Sequence, residues 1–122
     1  MSKLKVTTIA NVADSESTDV TNVINGSAKA WVNFNGTGTV AIRASFNVTS
    51  ITDNGTGNYT VNFTNAMVDA NYSTVVSADA ASGLLGTIKS SATYLTGSVG
   101  LLTYNGSIST ADHAIVCISV FR

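Results

Sequence analysis

The clearest pattern in the chain is the alternation over Asn58 to Thr64. Tyr59, Val61 and Phe63 are apolar, while Asn58, Thr60, Asn62 and Thr64 are polar. Successive side chains on a strand point to opposite faces, so this stretch predicts a strand with one face in a core. Lys29 to Phe34 reads the same way, with Ala30, Val32 and Phe34 on one face and Trp31 on the other. Asn-Gly-Thr-Gly turns begin at Asn35 and Asn54, where glycine reaches positive φ without steric cost. Trp31 to Phe63 is therefore expected to form a β-meander of three apolar runs. The middle run, Thr39 to Ile51, exceeds an ordinary strand, and Arg43-Ala44-Ser45 is the expected place for a bulge or bend.

Elsewhere the pattern is less regular. Leu4, Val6, Ile9 and Val12 recur at spacings of two and three, which fit neither a clean strand nor a long helix. This predicts an extended segment that docks on another surface, expected to be a second copy of the chain. Asp14 to Asn25 reads as a polar connector with room for one helical turn, and Asn25-Gly26-Ser27 opens the domain proper. Asn65 to Asn71 breaks the alternation and could make a single helical turn before Tyr72 to Asp79 resumes as strand. Asp79-Ala80-Ala81-Ser82-Gly83 is a loop of small residues, and Asp79, Ser82, Gly83 and Leu84 are candidate exposed recognition residues. Leu84 to Lys89 suits an edge. Thr93 to Tyr104 is a long run in which Gly97 and Gly100 mark bulges or close approaches. Asn105-Gly106-Ser107 signals a further hairpin.

The last run, His113 to Phe121, is apolar on both sides: Ala114, Val116, Ile118 and Val120 on one, Ile115, Cys117 and Phe121 on the other. A strand apolar on both faces is covered on both. The chain has no long amphipathic helix to provide the second cover, so a neighbouring subunit is expected there. Leu4, Val6, Ile9, Ile115, Cys117 and Phe121 are the candidate oligomer or docking contacts. Together these runs predict an all-β fold, an antiparallel β-sandwich of Greek-key or jelly-roll-like form. Residues 1–28 would be an N-terminal attachment segment, and residues 29–122 the β-domain.

Composition narrows the setting. With 44% hydrophobic but only 11% charged residues, the surface must take its polarity from the 15 Ser, 17 Thr and 12 Asn. A net charge of −1 without a basic cluster provides no electrostatic footprint for nucleic acid or for a membrane surface. Cys117 is the sole cysteine, so no internal disulfide framework exists. Met1 to Val6 lacks the apolar run of a secretory signal, and no window approaches the ~20 apolar residues of a membrane span. Synthesis and release in the cytoplasm of the producing cell is expected.

No catalytic set stands out. Asp112 and His113 are neighbours and would point to opposite faces of a strand, while Cys117 lies ~13 Å along from His113. No Cys/His cluster has zinc spacing. Asp53-Asn54-Gly55 reads as turn chemistry rather than a calcium loop, and Gly36-x-Gly38 precedes a strand, with no helix N-terminus to seat a phosphate. Neither an enzyme nor a metal or cofactor is expected. Eight Asn-x-Ser/Thr triplets, the first at Asn25 and the last at Asn105, follow from composition. Trp31 and Tyr59, Tyr72, Tyr94 and Tyr104 could build a sugar-stacking surface, though aromatics of this kind more often fill a core.

The run Ala30-Trp31-Val32-Asn33-Phe34-Asn35-Gly36-Thr37-Gly38-Thr39-Val40-Ala41-Ile42-Arg43 resembles a module of tailed-bacteriophage virion proteins. Its continuation, Ser45 to Val48, then Tyr59 to Phe63 and Asp69 to Tyr72, resembles the same module, found at the C-terminal end of tail-fibre-like proteins. Ser2-Lys3-Leu4-Lys5-Val6 resembles the start of short fibre-like proteins of such phages. The resemblance implies a homotrimeric β-rich knob on the virion surface, attached through its N-terminal segment, with distal loops facing outward. The implied partners are other copies of the chain, capsid or tail proteins, and a host-surface glycan. A tail fibre has a long shaft, whereas only residues 1–28 precede the module here, so a capsid decoration protein that stabilises the shell is the alternative. A carbohydrate-binding module is a further one.

Overall fold

A computed structural model describes residues 1–11, 13–79 and 85–122. The alternation over Asn58–Phe63 (β6) is realised as read: Tyr59, Val61 and Phe63 are buried, and the polar residues between them are half-exposed. The same holds for Ala28–Asn35 (β3), where Ala30, Val32 and Phe34 point inward and Trp31 outward. The other described elements are β1 (Thr8–Ala10), β2 (Ser17–Asp19), α1 (Val20–Gly26), β4 (Ala41–Phe46), β5 (Val48–Asp53) and β7 (Ser73–Ala78). They continue with β8 (Leu85–Ile88), a 3₁₀ turn at Ser91–Thr93, β9 (Ser98–Tyr104) and β10 (Val116–Phe121).

Eight of these strands form two antiparallel four-stranded sheets, ordered β4-β3-β10-β7 and β5-β6-β9-β8. Their inner faces share one core. Val32, Phe34, Val116, Ile118 and Val120 come from the first sheet, and Tyr59, Val61, Phe63, Val99 and Leu101 from the second. Each such side chain contributes roughly 1.5–3 kcal/mol on leaving water. Phe34 and Tyr59 meet edge to face across the layers, their ring centroids 5.1 Å apart.

The expected meander is not what forms. β3 and β4 pair in one sheet, β5 and β6 in the other, so the run Thr39 to Ile51 is two strands that change sheets at Asn47. Asn47 has φ 55°, a conformation that asparagine tolerates better than most residues. Its side-chain amide donates to the carbonyls of Lys29 (3.0 Å) and Asn65 (3.1 Å) and accepts from Asn65 N (2.8 Å). The anticipated bulge is present as well. Asn33 pairs with Ala44 and Phe34 with Ile42, which leaves Arg43 unpaired in the ladder.

Three further expectations change. Residues 65–71 make bends rather than a helical turn; Asp69 accepts from Asn71 N at 2.8 Å, a local bond that competes with helix. β9 starts only at Ser98, and the close approach is at Gly100 alone. A Cβ there would lie 2.9 Å from Thr93 Cβ, whereas one on Gly97 would meet nothing within 4 Å. Asn105 does open a tight turn, closed by Asn105 N donating to Ser109 O at 2.9 Å. Yet the strands on either side of it, β9 and β10, lie in different sheets. β8 is an edge strand, as expected.

The topology divides the molecule into two ends. The β3–β4 turn, the β5–β6 turn, the end of β7 at Asp79 and the long β9–β10 connection all lie at one end. Asn47, residues 64–72 and the entry of the N-terminal segment at Ala28 lie at the other.

Candidate functional site

At the loop end, the connection from Asn105 to Ile115 folds across both sheets and is fastened by buried groups. The Tyr59 hydroxyl donates to Asp112 Oδ1 at 2.7 Å, with Gly36 O 3.0 Å away, and Gly57 N donates to the same Asp112 oxygen at 2.7 Å. Burial first, and then the Asp112 carboxylate, hold the Tyr59 phenol well above its ordinary value. Thr103 donates through Oγ1 to Ala111 O at 2.6 Å, and Gly36 N donates to His113 O at 2.9 Å.

His113 is 4% exposed. Its Nε2 faces the Tyr104 carbonyl at 3.1 Å and donates to it, while Nδ1 faces Asp79 Oδ1 at 3.1 Å. Asp79 N in turn donates to Ile115 O at 2.9 Å. Asp79, read from sequence as an exposed recognition residue, is thus half-buried and anchors the base of its loop. Ser82, Gly83 and Leu84 lie outside the described residues. Each polar group of this clasp is engaged in holding loops, an arrangement suited to presenting a rigid surface.

The outer faces of the two sheets differ in kind. On the second sheet, Asn62 donates to Ser50 Oγ (3.1 Å) and Thr52 Oγ1 (2.9 Å), and Asn54 donates to Thr60 Oγ1 (3.0 Å). This is a solvent-facing amide and hydroxyl ladder. On the first sheet, the register sets Phe46, Trp31, Ser119 and Val75 in one row across all four strands. Phe46 is 55%, Trp31 39% and Val75 62% exposed. Cys117 lies in the adjoining row between Asn33 and Ser77, with Phe121 on the same face of β10 and Ile115 just before that strand. The sequence-predicted contacts Ile115, Cys117 and Phe121 therefore belong to one face. Phe46 and Val75 were missed. Their signal is an apolar residue on the outward parity of a strand, readable only once the inward parity is known.

Leu4, Val6 and Ile9, like Val23 and Ile24, lie in the N-terminal segment, and all five are exposed. The segment is a short ribbon of β1 and β2 followed by α1, and no described residue of 1–27 is buried. Asp19 caps α1 by accepting from Thr21 N at 2.6 Å, and that bond holds its carboxyl below the usual range. A three-residue ribbon and a seven-residue helix are each too small to stand alone in water. Hydrogen bonds shape this segment, and no core of its own holds it.

The aromatic residues do not form one sugar-stacking platform. Tyr59 and Tyr72 are buried, Tyr72 stacks on Tyr94 at 4.8 Å, and Trp31 stands apart on the outer face of the first sheet. Comparison of the chain with protein-family models, curated proteins and solved structures gives no match.

Proposed function

We propose that the protein is a structural component of a tailed-bacteriophage virion, a surface-exposed homotrimeric knob held on the particle by its N-terminal segment. The two-layer body would be a sandwich of Greek-key or jelly-roll-like type, a reading supported by the placement of β10 between β3 and β7 and of β9 between β6 and β8. The observation that carries the functional reading is the two-ended layout. A segment with no buried residue among those described leaves one end, and a clasped cluster of loops occupies the other. Such a body is suited to fixing one end to an assembly and turning the other outward. Low charge and an apolar outer sheet face support burial against like subunits.

Mass spectrometry of purified particles of a phage encoding this chain, with gold-labelled antibody in electron microscopy, tests the proposal. The chain is expected in the particle fraction with label at the surface, and its absence from particles overturns the reading. Label at the tail identifies a fibre-type knob that contacts the host; label spread over the shell identifies a decoration protein.

A further inference from the structure

We infer that the outer face of the β4-β3-β10-β7 sheet is the seat for the N-terminal segment of a second copy of this chain. The inference rests on the self-association in the proposed function and names the surfaces that carry it. Each surface lacks what the other has. The segment exposes Leu4, Val6 and Ile9 and is too small to hold its shape unaided. The face exposes Phe46, Trp31 and Val75 in a single row. At its border all six residues of β4 are exposed, and β4 pairs only with β3. That open edge leaves backbone donors and acceptors free for another strand.

Charge points the same way. The four strands of the face contain two cations, Lys29 and Arg43, and no carboxylate. The segment's two cations, Lys3 and Lys5, flank Leu4, and its later stretch Asp14 to Asp19 carries only carboxylates, Asp14, Glu16 and Asp19, all exposed. Arg43 reaches only the uncharged Asn33 side chain, at 3.4 Å, and among the described residues it forms no ion pair.

Area decides against face-to-face pairing alone. Four strands of about six residues span roughly 19 Å by 20 Å, or about 400 Å². A standard interface buries about 800 Å² on each partner. Reciprocal exchange, in which every copy gives a segment and receives one, supplies the remainder and can close into a ring.

Cys117 makes the inference testable, because it is a free thiol on the receiving face. A tagged chain carrying Cys117→Ser with Leu4→Cys, Val6→Cys or Ile9→Cys in turn is assembled with untagged wild-type chain and mildly oxidised. At least one position is expected to yield a tagged–untagged pair on a non-reducing gel. The control Thr52→Cys with Cys117→Ser, on the outer face of the second sheet, is expected to yield none. Trp31→Ser and Phe46→Ser, outside the core, are expected to reduce the sedimenting mass to the 12.5 kDa of one chain. Three results would each overturn the inference: a wild-type chain that sediments as a monomer, no mixed pair from any position, or, in chains carrying Leu4→Cys, Val6→Cys or Ile9→Cys with Cys117 retained, links formed only within one chain. None of them bears on whether the chain is found in particles, which tests the virion reading separately.

Discussion

Tyr59 and Asp112, 53 residues apart in sequence, are joined by a hydrogen bond of 2.7 Å that ties the middle of the second sheet to the connection between the sheets. The phenol is buried, and Asp112 also takes the Gly57 amide. Tyr59→Phe keeps the ring packed on Phe34 and removes only the donor. A hydrogen bond to a charged group contributes about 1.5–3 kcal/mol, and a loss of that size is expected in urea unfolding. An unchanged midpoint would show that the clasp does not hold the loop.

The glycines of the two turns separate backbone strain from steric exclusion. Gly38 and Gly57 have φ of 60° and 63°, but a Cβ on Gly38 meets nothing within 4 Å. One on Gly57 would lie 2.5 Å from Thr103 O and 2.6 Å from Ala111 N. Gly38→Ala is expected to cost about 1–2 kcal/mol, the left-handed penalty alone. Gly57→Ala should cost clearly more, because backbone atoms must move, and thermal unfolding of the pair measures the difference.

Asn47 tests the change of sheet. Asn47→Ala loses four side-chain bonds and keeps the positive φ, for an expected loss of about 2–4 kcal/mol. Asn47→Gly recovers the backbone part and should fall between Ala and wild type. Equal stabilities for Ala and Gly would assign the whole effect to the side chain.

At high pH, Tyr72 matters. Burial, and then its neighbour Tyr94, push its phenol up to about 12 from an ordinary 10.0. A raised folded value favours the protonated native state. The stability it contributes is therefore complete below pH 10 and lost as pH rises toward about 12. Ultraviolet titration should show Tyr72 ionising together with unfolding, and Tyr72→Phe should flatten the alkaline limb of stability.

At low pH, the Arg122 side chain, bonded to Asp69 at 2.9 and 2.6 Å, brings that carboxyl down to about 2 from 3.8. A lowered folded value gives stability that is present above the unfolded value. It is lost as pH falls from near 4 to about 2. Both partners are exposed, so the effect is small and salt-sensitive. Carboxyl chemical shifts of Asp69 in wild type and Arg122→Leu check it: the midpoint should rise toward 3.8 in the variant.

Much of the fold was legible where structure depends on neighbours in sequence. The parity of Asn58 to Phe63 and of Ala28 to Asn35 set the inward faces, because a strand has a two-residue period whatever it packs against. Arg43-Ala44-Ser45 was marked for a bulge or bend by the excessive length of its run, and the bulge falls at Arg43. The weak pattern and acidic residues before Asn25 are why residues 1–28 are read as an attachment segment. What the chain could not state locally was partnership. Asn47 looks like any polar residue in a β-rich run until Lys29 and Asn65, each 18 residues away, accept its amide. His113 and Asp79, 34 apart, meet only because β7 and the β9–β10 connection end at the same side. Trp31 was outward from its parity alone. That Phe46 and Val75 join it in one row was decided by register between strands distant in sequence, and register follows from burying the opposite faces of four strands at once.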